Sequence, residues 1–172
     1  SRQKESDRQG AILRELGLSL AGCSTLESAL SFSLAAAIEI GGLETGAVYM
    51  HTQSSGRIAP FLDQGPYRAA LHRLYEEFSK NGEEWILNTG NPLYMSMTDL
   101  HRYETRFTAL AFIPIQRYEE VTGWFILASD QLIEVPYELR GPLEGVVSQI
   151  GNVISRIEAE EALRDALIES EE

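Results

Sequence analysis

Two short apolar runs near the middle of the chain give the clearest pattern of hydrophobic and polar positions. The runs are Ala109–Ile115 and Thr122–Ala128, and the polar segment Gln116–Glu120 lies between them. Short apolar runs separated by a few polar residues are typical of two strands joined in a hairpin. Both runs are apolar at odd and even positions alike, and successive side chains of a strand face opposite sides of a sheet. The pattern therefore predicts a central hairpin in a sheet that is covered on both faces.

Helical patterns at both ends of the chain predict one of these covers. Apolar residues recur at helical spacing in Ala11–Leu20. A second helix is predicted to begin at a capping box formed by Ser24 and Glu27 and to end at Gly41–Gly42. The segment Tyr137–Glu172 has the pattern of one long helix.

The middle of the chain predicts a second hairpin and the other cover. Thr45–Gln53 and Arg57–Asp63 are two strands joined by a serine- and glycine-rich turn. From Tyr67 the period becomes helical, and Asn81–Gly82 is a candidate left-handed stop. The aromatic-rich segment that follows is less regular, with a short strand predicted at Leu93–Met97.

Two features of the long C-terminal helix bear on its surroundings. Pro142 is compatible with the helix if it lies in the first turn, because a backbone N–H there would have no hydrogen-bond partner within the helix. The apolar stripe breaks at Glu160–Glu161 and resumes as Leu163, Ala166 and Leu167 among charged residues. A narrow stripe of this kind is typical of a helix that leaves a domain and buries only a seam, as in a two-stranded coiled coil.

Composition limits the class of protein. The chain has 172 residues, 44% of them hydrophobic, which suits one domain with a sizeable core. Its net charge of −12 argues against binding nucleic acid or an anionic membrane, since both would need a basic surface. No apolar run approaches the roughly 20 residues that cross a bilayer. The single cysteine excludes an internal disulfide and favours a reducing compartment, so we expect a cytoplasmic location.

The order of these elements resembles that of a GAF domain. TGAVYM is similar to the first strand of the family, and NTGNPLYMSMTDL is similar to its turn, short strand and acidic residue, here Asp99. FTALAFIPIQ followed by VTGWFILAS resembles the family's paired strands, with proline near the end of one and glycine at the start of the next. The related PAS-like sheet is the alternative.

The resemblance implies an α+β fold with a six-stranded antiparallel, profilin-like sheet. Terminal helices would pack on one face, and a small helix with loops would cover a possible pocket on the other. The resemblance also implies a homodimer through the N- and C-terminal helices.

The C-terminal sequence EALRDALIESEE resembles a connector, E-A-L-R-x-S-E-E, that leads into PAS domains of sensor kinases and cyclic-di-nucleotide enzymes. This implies flanking PAS or kinase domains in the same chain, in a histidine kinase or a diguanylate cyclase. We therefore expect residues 1–10 to end an upstream linker helix, 11–157 to form the GAF domain and 158–172 to form a connector helix.

The chemistry of specialised GAF domains is not expected here. Cys23 lies in the turn between the first two helices, away from the position of a bilin-carrying cysteine, and one cysteine cannot both reduce and resolve a sulfoxide. The N-K-F-D-E pattern of cyclic-nucleotide binders is absent from the sequence. His51, His72 and His101 have no metal-ligand spacing, and surface or pocket-rim positions are the better interpretation.

Aromatic side chains are the best candidates for a ligand site. They could line an apolar cavity with a few hydroxyl and indole donors, which would suit a small planar molecule, or they could fill a core with no cavity. The candidate residues are Tyr49, Phe61, Trp85, Tyr94, Phe107 and Phe112.

Two functions remain open from the sequence. The first is a non-catalytic sensory module that binds an unknown small molecule and relays a conformational change through its end helices. The second is a structural dimerisation spacer without a ligand. No catalytic or metal-binding residues are predicted, and no cofactor is identified.

Overall fold

A computed structural model describes residues 2–51, 57–81 and 89–171 of the chain. The described strands all belong to one antiparallel sheet with the spatial order β2-β1-β5-β4-β3. The elements, in chain order, are α1 (Arg2–Ala21), α2 (Leu26–Gly41), β1 (Thr45–His51), β2 (Ile58–Gln64), α3 (Arg68–Lys80), β3 (Leu93–Met95), α4 (Met97–Leu100), β4 (Ala109–Arg117), β5 (Glu120–Ser129) and α5 (Tyr137–Glu171).

The α+β architecture agrees with the sequence analysis, but the number of strands does not follow it. The described residues contain five strands, so the sixth strand implied by the resemblance is not confirmed. The central hairpin is the predicted one, with longer strands and a tighter turn than its apolar runs suggested. Arg117 pairs with Glu120, which leaves a two-residue turn.

Alternating residues of the central strands divide the core into two parts. Val48, Phe125 and Ile113 pair across β1, β5 and β4 and pack with the terminal helices, on what we call the end-helix face. The next row, Ala47, Ile126 and Phe112, packs with α3, on what we call the α3 face. The prediction that both faces of the central hairpin are covered is confirmed.

Helices α1, α2 and α5 cover the end-helix face. Gly46 of β1 lets α2 approach the sheet closely, because a Cβ atom there would lie 2.7 Å from Leu34 Cδ1. The face is almost entirely aliphatic, and Phe125 is its one fully buried aromatic residue in the part of the chain that the structure describes. Cys23 is also buried in this face, which is the side of the sheet opposite α3.

The start of α2 differs from the prediction. Thr25 is the N-cap, and its Oγ1 accepts a hydrogen bond from the backbone N–H of Ser28 at 3.2 Å. The predicted Ser24–Glu27 box is therefore one residue out of register. The end of α2 is as predicted, because Gly42 is left-handed (φ 65°) and its N–H bonds the carbonyl of Ile38.

Two further predictions concern the α3 side of the fold. Asn81 at the end of α3 has φ −78°, so it is not itself left-handed, and Gly82, the other residue of the predicted stop, lies outside the described residues. The predicted strand Leu93–Met97 ends at Met95 and gives way to the short helix α4. A capping box between Ser96 and Asp99 begins this helix, since each side chain accepts from the other's backbone N–H.

Helix α5 is continuous from Tyr137 to Glu171, as predicted, but Pro142 is its sixth residue rather than part of its first turn. Ile157 is the last buried residue of the helix, and every residue from Ala159 to Glu171 is exposed. Within the described ranges, no helix has both the length and the apolarity needed to cross a bilayer.

Candidate ligand site on the α3 face

A chain of hydrogen-bonded side chains connects the sheet to α3. The hydroxyl of Tyr49 on β1 contacts His72 Nδ1 on α3, and His72 Nε2 lies 2.7 Å from Asp63 Oδ2 on β2. A carboxylate only accepts, so the Nε2–H donates to Asp63, and in the neutral ring Nδ1 accepts the proton of the Tyr49 hydroxyl. The three side chains thus join two strands and a helix in one polar link.

Strand pairing explains how residues so far apart in sequence meet. Ala47 pairs with Asp63, and the irregularity between Val48 and Tyr49 brings Tyr49 opposite Pro60. Alternation then places Ala47, Tyr49 and the carboxyl of Asp63 on the α3 side of the sheet. Helix α3 packs on this side of the sheet and supplies His72, the third side chain of the link.

Arg68 fixes the outer end of this link. Its Nη1 lies 3.2 Å from Asp63 Oδ1, and its Nε donates to the carbonyl of Gly65 at 2.8 Å. Gly65 has φ 92°, and a side chain there would collide with the carbonyl of Glu44 at 2.1 Å. A glycine is therefore required where β2 turns into α3, and Arg68 ties that turn to the carboxylate.

The environment of Tyr49 keeps its hydroxyl protonated. Burial, and then the negative charges of Glu76 and Asp63, raise the pKa of Tyr49 above its usual range. The phenol therefore stays a neutral donor throughout the physiological range. Because its proton is donated to His72, the phenol oxygen is left as an acceptor for a neighbouring molecule, and it adds no charge to an apolar surface.

Aromatic rings form the wall around this polar link. Tyr49 packs against Tyr75 with ring centroids 4.2 Å apart, and Phe78 stacks on Phe112 at 5.1 Å and 29°. His51 lies 5.3 Å from the ring of Trp124. Such rings present flat apolar surfaces with a few polar tips, which is the composition of sites for small planar molecules.

A cleft opens at the β3 edge of the same face. It has a volume of about 560 Å³, within the size range of small-molecule sites. Phe78, Leu93 and Met95 give it an apolar floor, and Thr98, Asp99 and Arg102 lie along its rim. The cleft and the polar link are thus two parts of one face, joined by the aromatic wall.

The structure brings together three of the six predicted ligand-binding residues. Tyr49, Phe107 and Phe112 are buried in the α3 face. Phe61 lies on the edge strand β2 and is 43% exposed. Trp85 lies outside the described residues.

Tyr94 faces the end helices, apart from the other predicted residues. It packs against the end-helix face, and its hydroxyl donates to Glu144 Oε2 of α5 at 2.7 Å. Tyr94 is also one of the residues that line the α3-side cleft, so it lies at the edge of β3 rather than in the aromatic wall. Burial, and then the hydrogen bond to Glu144, raise the pKa of Tyr94, with Arg140 opposing.

Sequence reasoning missed four contributors to this face. It left His72 as a surface or pocket-rim histidine, Asp63 as the end of a strand, and Tyr75 and Phe78 only as members of the helical segment that begins at Tyr67. A stripe of aromatic residues with a histidine on one side of α3 was the available signal. Among the described residues, no group of three or more histidine, cysteine or acidic side chains could hold a metal ion.

Comparison with known proteins identifies the fold. No protein-family model matches the sequence, and no curated protein matches it. Solved structures do match over most of the chain. A GAF domain described as that of a sensor histidine kinase from Pseudomonas syringae pv. tomato has a TM-score of 0.69 at 17% identity, covering 96% of this chain and 97% of that one.

Two further structures extend this likeness. The GAF domain of a phosphoenolpyruvate-protein phosphotransferase from Acinetobacter has a TM-score of 0.67 at 12% identity, covering 88% of this chain and 95% of that one. The chromophore-binding domain of a bacteriophytochrome from R. palustris has the same TM-score and identity, covering 91% of this chain and 63% of that one. The chain therefore has the GAF fold, as its sequence pattern predicted.

Proposed function

We propose that this chain is the non-catalytic sensory module of a signal-transduction protein. In this proposal a small molecule binds on the α3 face, and the end helices relay the resulting change. Structures with this fold from sensor histidine kinases and a bacteriophytochrome support a regulatory role. The module would work in the cytoplasm, and its charge of −12 makes nucleic acid an unsuitable partner.

The observation that carries the proposal is that the central strands contribute buried side chains to both faces of the sheet. Neighbouring residues of β5, such as Trp124 and Phe125, are fully buried on opposite faces of the sheet. A ligand that shifts the strands from the α3 side must therefore alter packing against α5 on the other side, because close-packed side chains transmit displacement. The two faces of the sheet are mechanically one unit.

The α3 face favours a particular class of ligand. Aromatic walls suit a flat ring system, while the Tyr49–His72 pair and the cleft rim offer a few hydrogen-bonding groups. We therefore propose a small planar ligand with polar edges. Its effect on the end helices cannot exceed the difference between its affinities for the two packings of the module.

In this proposal the conformational change is transmitted out of the domain along α5. We propose that 11–157 is the sensory domain, that residues 1–10 belong to an upstream linker helix and that 158–172 form a connector to a PAS, kinase or cyclase domain. The exposure of Leu163, Leu167 and Ile168 on the connector supports a seam that a second copy of the chain covers. A homodimer through α1 and α5 would bring two connectors together.

The binding proposal is tested by thermal melting against a library of small planar metabolites. A ligand present at 100 times its Kd stabilises the folded state by about 2.7 kcal/mol, which raises the melting temperature by several degrees. Leu93→Trp, which fills the cleft, should abolish the shift. The matched substitution Leu13→Trp on α1 should leave it in place. A hit that raises the melting temperature of both variants equally would contradict binding at the α3 face.

The structural spacer is the second candidate, and one observation favours it. The aromatic side chains of the α3 face are at most 7% exposed, as in a filled core. If the chain is a spacer, no compound should shift its melting temperature, and the dimer should form equally with and without added compounds. Native mass spectrometry separates the two candidates, since a sensor purified with its ligand carries extra mass and a spacer does not.

A further inference from the structure

One turn of α5 receives contacts from two separate parts of the fold just before the helix leaves the domain. We call Ser155–Glu158 the exit turn, because all residues from Ala159 to Glu171 are exposed. Ile157 of this turn is 1% exposed and faces the core. The flanking positions project to either side and meet α1 on one side and the end of the β4–β5 hairpin on the other.

Arg156 joins the exit turn to the end of α1. Its guanidinium donates to the carbonyls of Leu20 and Cys23 at 2.9 Å and of Ala21 at 3.1 Å. The last carbonyls of a helix lack partners within it and carry partial negative charge, so a planar cation with several donors suits them. Arg156 therefore caps α1 and fixes one side of the exit turn.

Arg117 joins the same turn to the hairpin. Its Nε donates to Ser155 Oγ at 3.2 Å, and its Nη1 pairs with Glu158 Oε2. Ser155 and Glu158 are three residues apart, so they lie on the same side of the helix. Arg117 is the last residue of β4 and precedes the hairpin turn directly.

The hairpin end departs from regular geometry in a way that aims Arg117 at α5. The β4–β5 register shifts between Ile115 and Gln116, and such irregularities redirect the side chains beside them. The two turn residues, Tyr118 and Glu119, have φ 52° and 68°. Asparagine and glycine are the favoured residues for a turn with two positive φ angles, so tyrosine and glutamate there carry backbone strain.

The same hairpin end also contacts the turn that precedes β3. Gln116 donates from Nε2 to the carbonyl of Gly90 at 2.8 Å, and β3 forms the floor of the α3-side cleft. On its other side the backbone of Gln116 packs directly on α5, where a Cβ on Gly151 would lie 2.6 Å from the Gln116 carbonyl. The hairpin end thus lies between the cleft side of the sheet and the exit turn.

We infer that the end of the β4–β5 hairpin, residues 116–121, is a coupling element that sets the conformation of the exit turn through Arg117. A change at β3 reaches Gln116, moves Arg117 and loosens or tightens Ser155–Glu158, while Arg156 keeps α1 attached. This deepens the proposed function by naming the residues of the relay, and it rests on that function only for the source of the signal. The coupling itself exists without a ligand.

Hydrogen exchange of the α5 amides, resolved by NMR, tests the coupling in the unliganded chain. Arg117→Gln removes the ion pair with Glu158 and should speed exchange at Ile154–Glu160 by roughly tenfold, since contacts to charged groups limit local opening. Amides of α1 should keep their rates, because Arg156 remains. Arg106→Gln is the matched control, since it breaks a surface ion pair with Asp130, which follows the opposite end of β5 from the hairpin turn, and it should leave the exit turn unchanged.

A second variant should act in the opposite direction. Replacing the second turn residue, Glu119→Gly, relieves backbone strain, keeps the Tyr118 ring 5.2 Å from the Arg117 guanidinium carbon and should slow exchange at the exit turn by roughly threefold. Equal exchange in the Arg117→Gln and Arg106→Gln variants would overturn the inference, as would a turn variant with the exchange of the original chain. Either failure leaves the melting test of ligand binding unaffected, so the two proposals fail separately.

Discussion

Both faces of the sheet bury apolar side chains, but the types of residue differ between them. The end-helix face is built of leucine, isoleucine, valine and alanine, which pack three long helices against the strands. Seven of the fifteen buried residues described on the α3 face are aromatic, and one chain of hydrogen bonds runs between the sheet and α3. Its buried aromatic residues are Tyr49, Tyr75, Phe78, Tyr103, Phe107, Phe112 and Trp124.

This difference suits the two tasks that the proposed function assigns to one sheet. Branched aliphatic side chains interdigitate closely and hold helices in a fixed position. Aromatic rings present flat faces. Together with His72 they bring hydroxyl and imidazole groups into the interior, which suits the binding of another molecule. The end-helix face therefore stabilises the fold, and the α3 face is where a ligand would alter it.

The largest effect is expected from a cavity on the end-helix face. Ile150→Ala removes a fully buried side chain of α5 and should lower the free energy of unfolding by about 2–5 kcal/mol, as urea denaturation would measure. Leu71→Ala, at a fully buried position of α3, should cost less, because a face with a cleft can close around the loss. Asn152→Ala, an exposed position on α5, is the control. Equal costs for the two cavities would remove the distinction between the faces.

The polar link should contribute less than an aliphatic core residue. Tyr49→Phe removes the hydroxyl that bonds His72 Nδ1 and should cost about 1–2 kcal/mol, because it leaves a partly buried ring nitrogen without that partner. Tyr118→Phe, at a position that is 79% exposed, should change the unfolding free energy little. A Tyr49→Phe variant as stable as the original chain would show that the link contributes no net free energy.

Alkaline pH tests a tyrosine on each face. The pKa of Tyr49 and of Tyr94 is raised by folding, so both stay protonated in the folded chain while the unfolded chain loses these protons above about pH 10. The stabilising contribution is complete below that pH and is lost as the pH rises towards the folded-state pKa. The unfolding free energy should therefore fall by up to about 1.4 kcal/mol per pH unit for each tyrosine.

Single substitutions assign this slope to its sources. Tyr49→Phe and Tyr94→Phe should each make the decline above about pH 10 shallower, and Tyr137→Phe, an 83% exposed control, should not. Urea midpoints measured from pH 9 to pH 11 would give the slopes. An unchanged slope in both variants would mean that neither phenol is held protonated by the fold.

The smallest effect on stability is expected beyond the exit turn. Truncation after Glu158 removes a segment that is exposed at every residue from Ala159 to Glu171, so the unfolding free energy should change by less than about 0.5 kcal/mol. Dimerisation should weaken, because Leu163, Leu167 and Ile168 are lost from the proposed seam. Sedimentation velocity of the two lengths would measure this. Identical sedimentation would place any dimer interface within the folded domain.

The candidate site could be predicted only in part, and the reason lies in strand geometry. Phe112 and Tyr94 both occur in apolar stretches of the sequence, yet one lies on the α3 face and the other packs towards α5. Parity assigns a face only when one face is polar, and here both are apolar. The pairing of Tyr94 with Ala111, and of Ala111 with Leu127, decided its side.

The polar link was hidden for a related reason. Tyr49 and His72 are 23 residues apart, and nothing in their spacing marks them as partners. The register of β1 against β2 and the position of α3 above them bring the two side chains together. The same is true of Arg117 and Arg156, whose partners lie 38 and more than 130 residues away.

The sequence alone determined the order of the elements apart from α4, the two-sided burial of the central hairpin, the continuity of α5 and the GAF resemblance. These follow from periodicity, which local side-chain direction imposes along each element. The tertiary structure decided which residues share a face, that Thr25 rather than Ser24 caps α2 and how arginines hold the exit turn. Those outcomes depend on strand register and helix placement, and both are set by packing between segments that are distant in the chain.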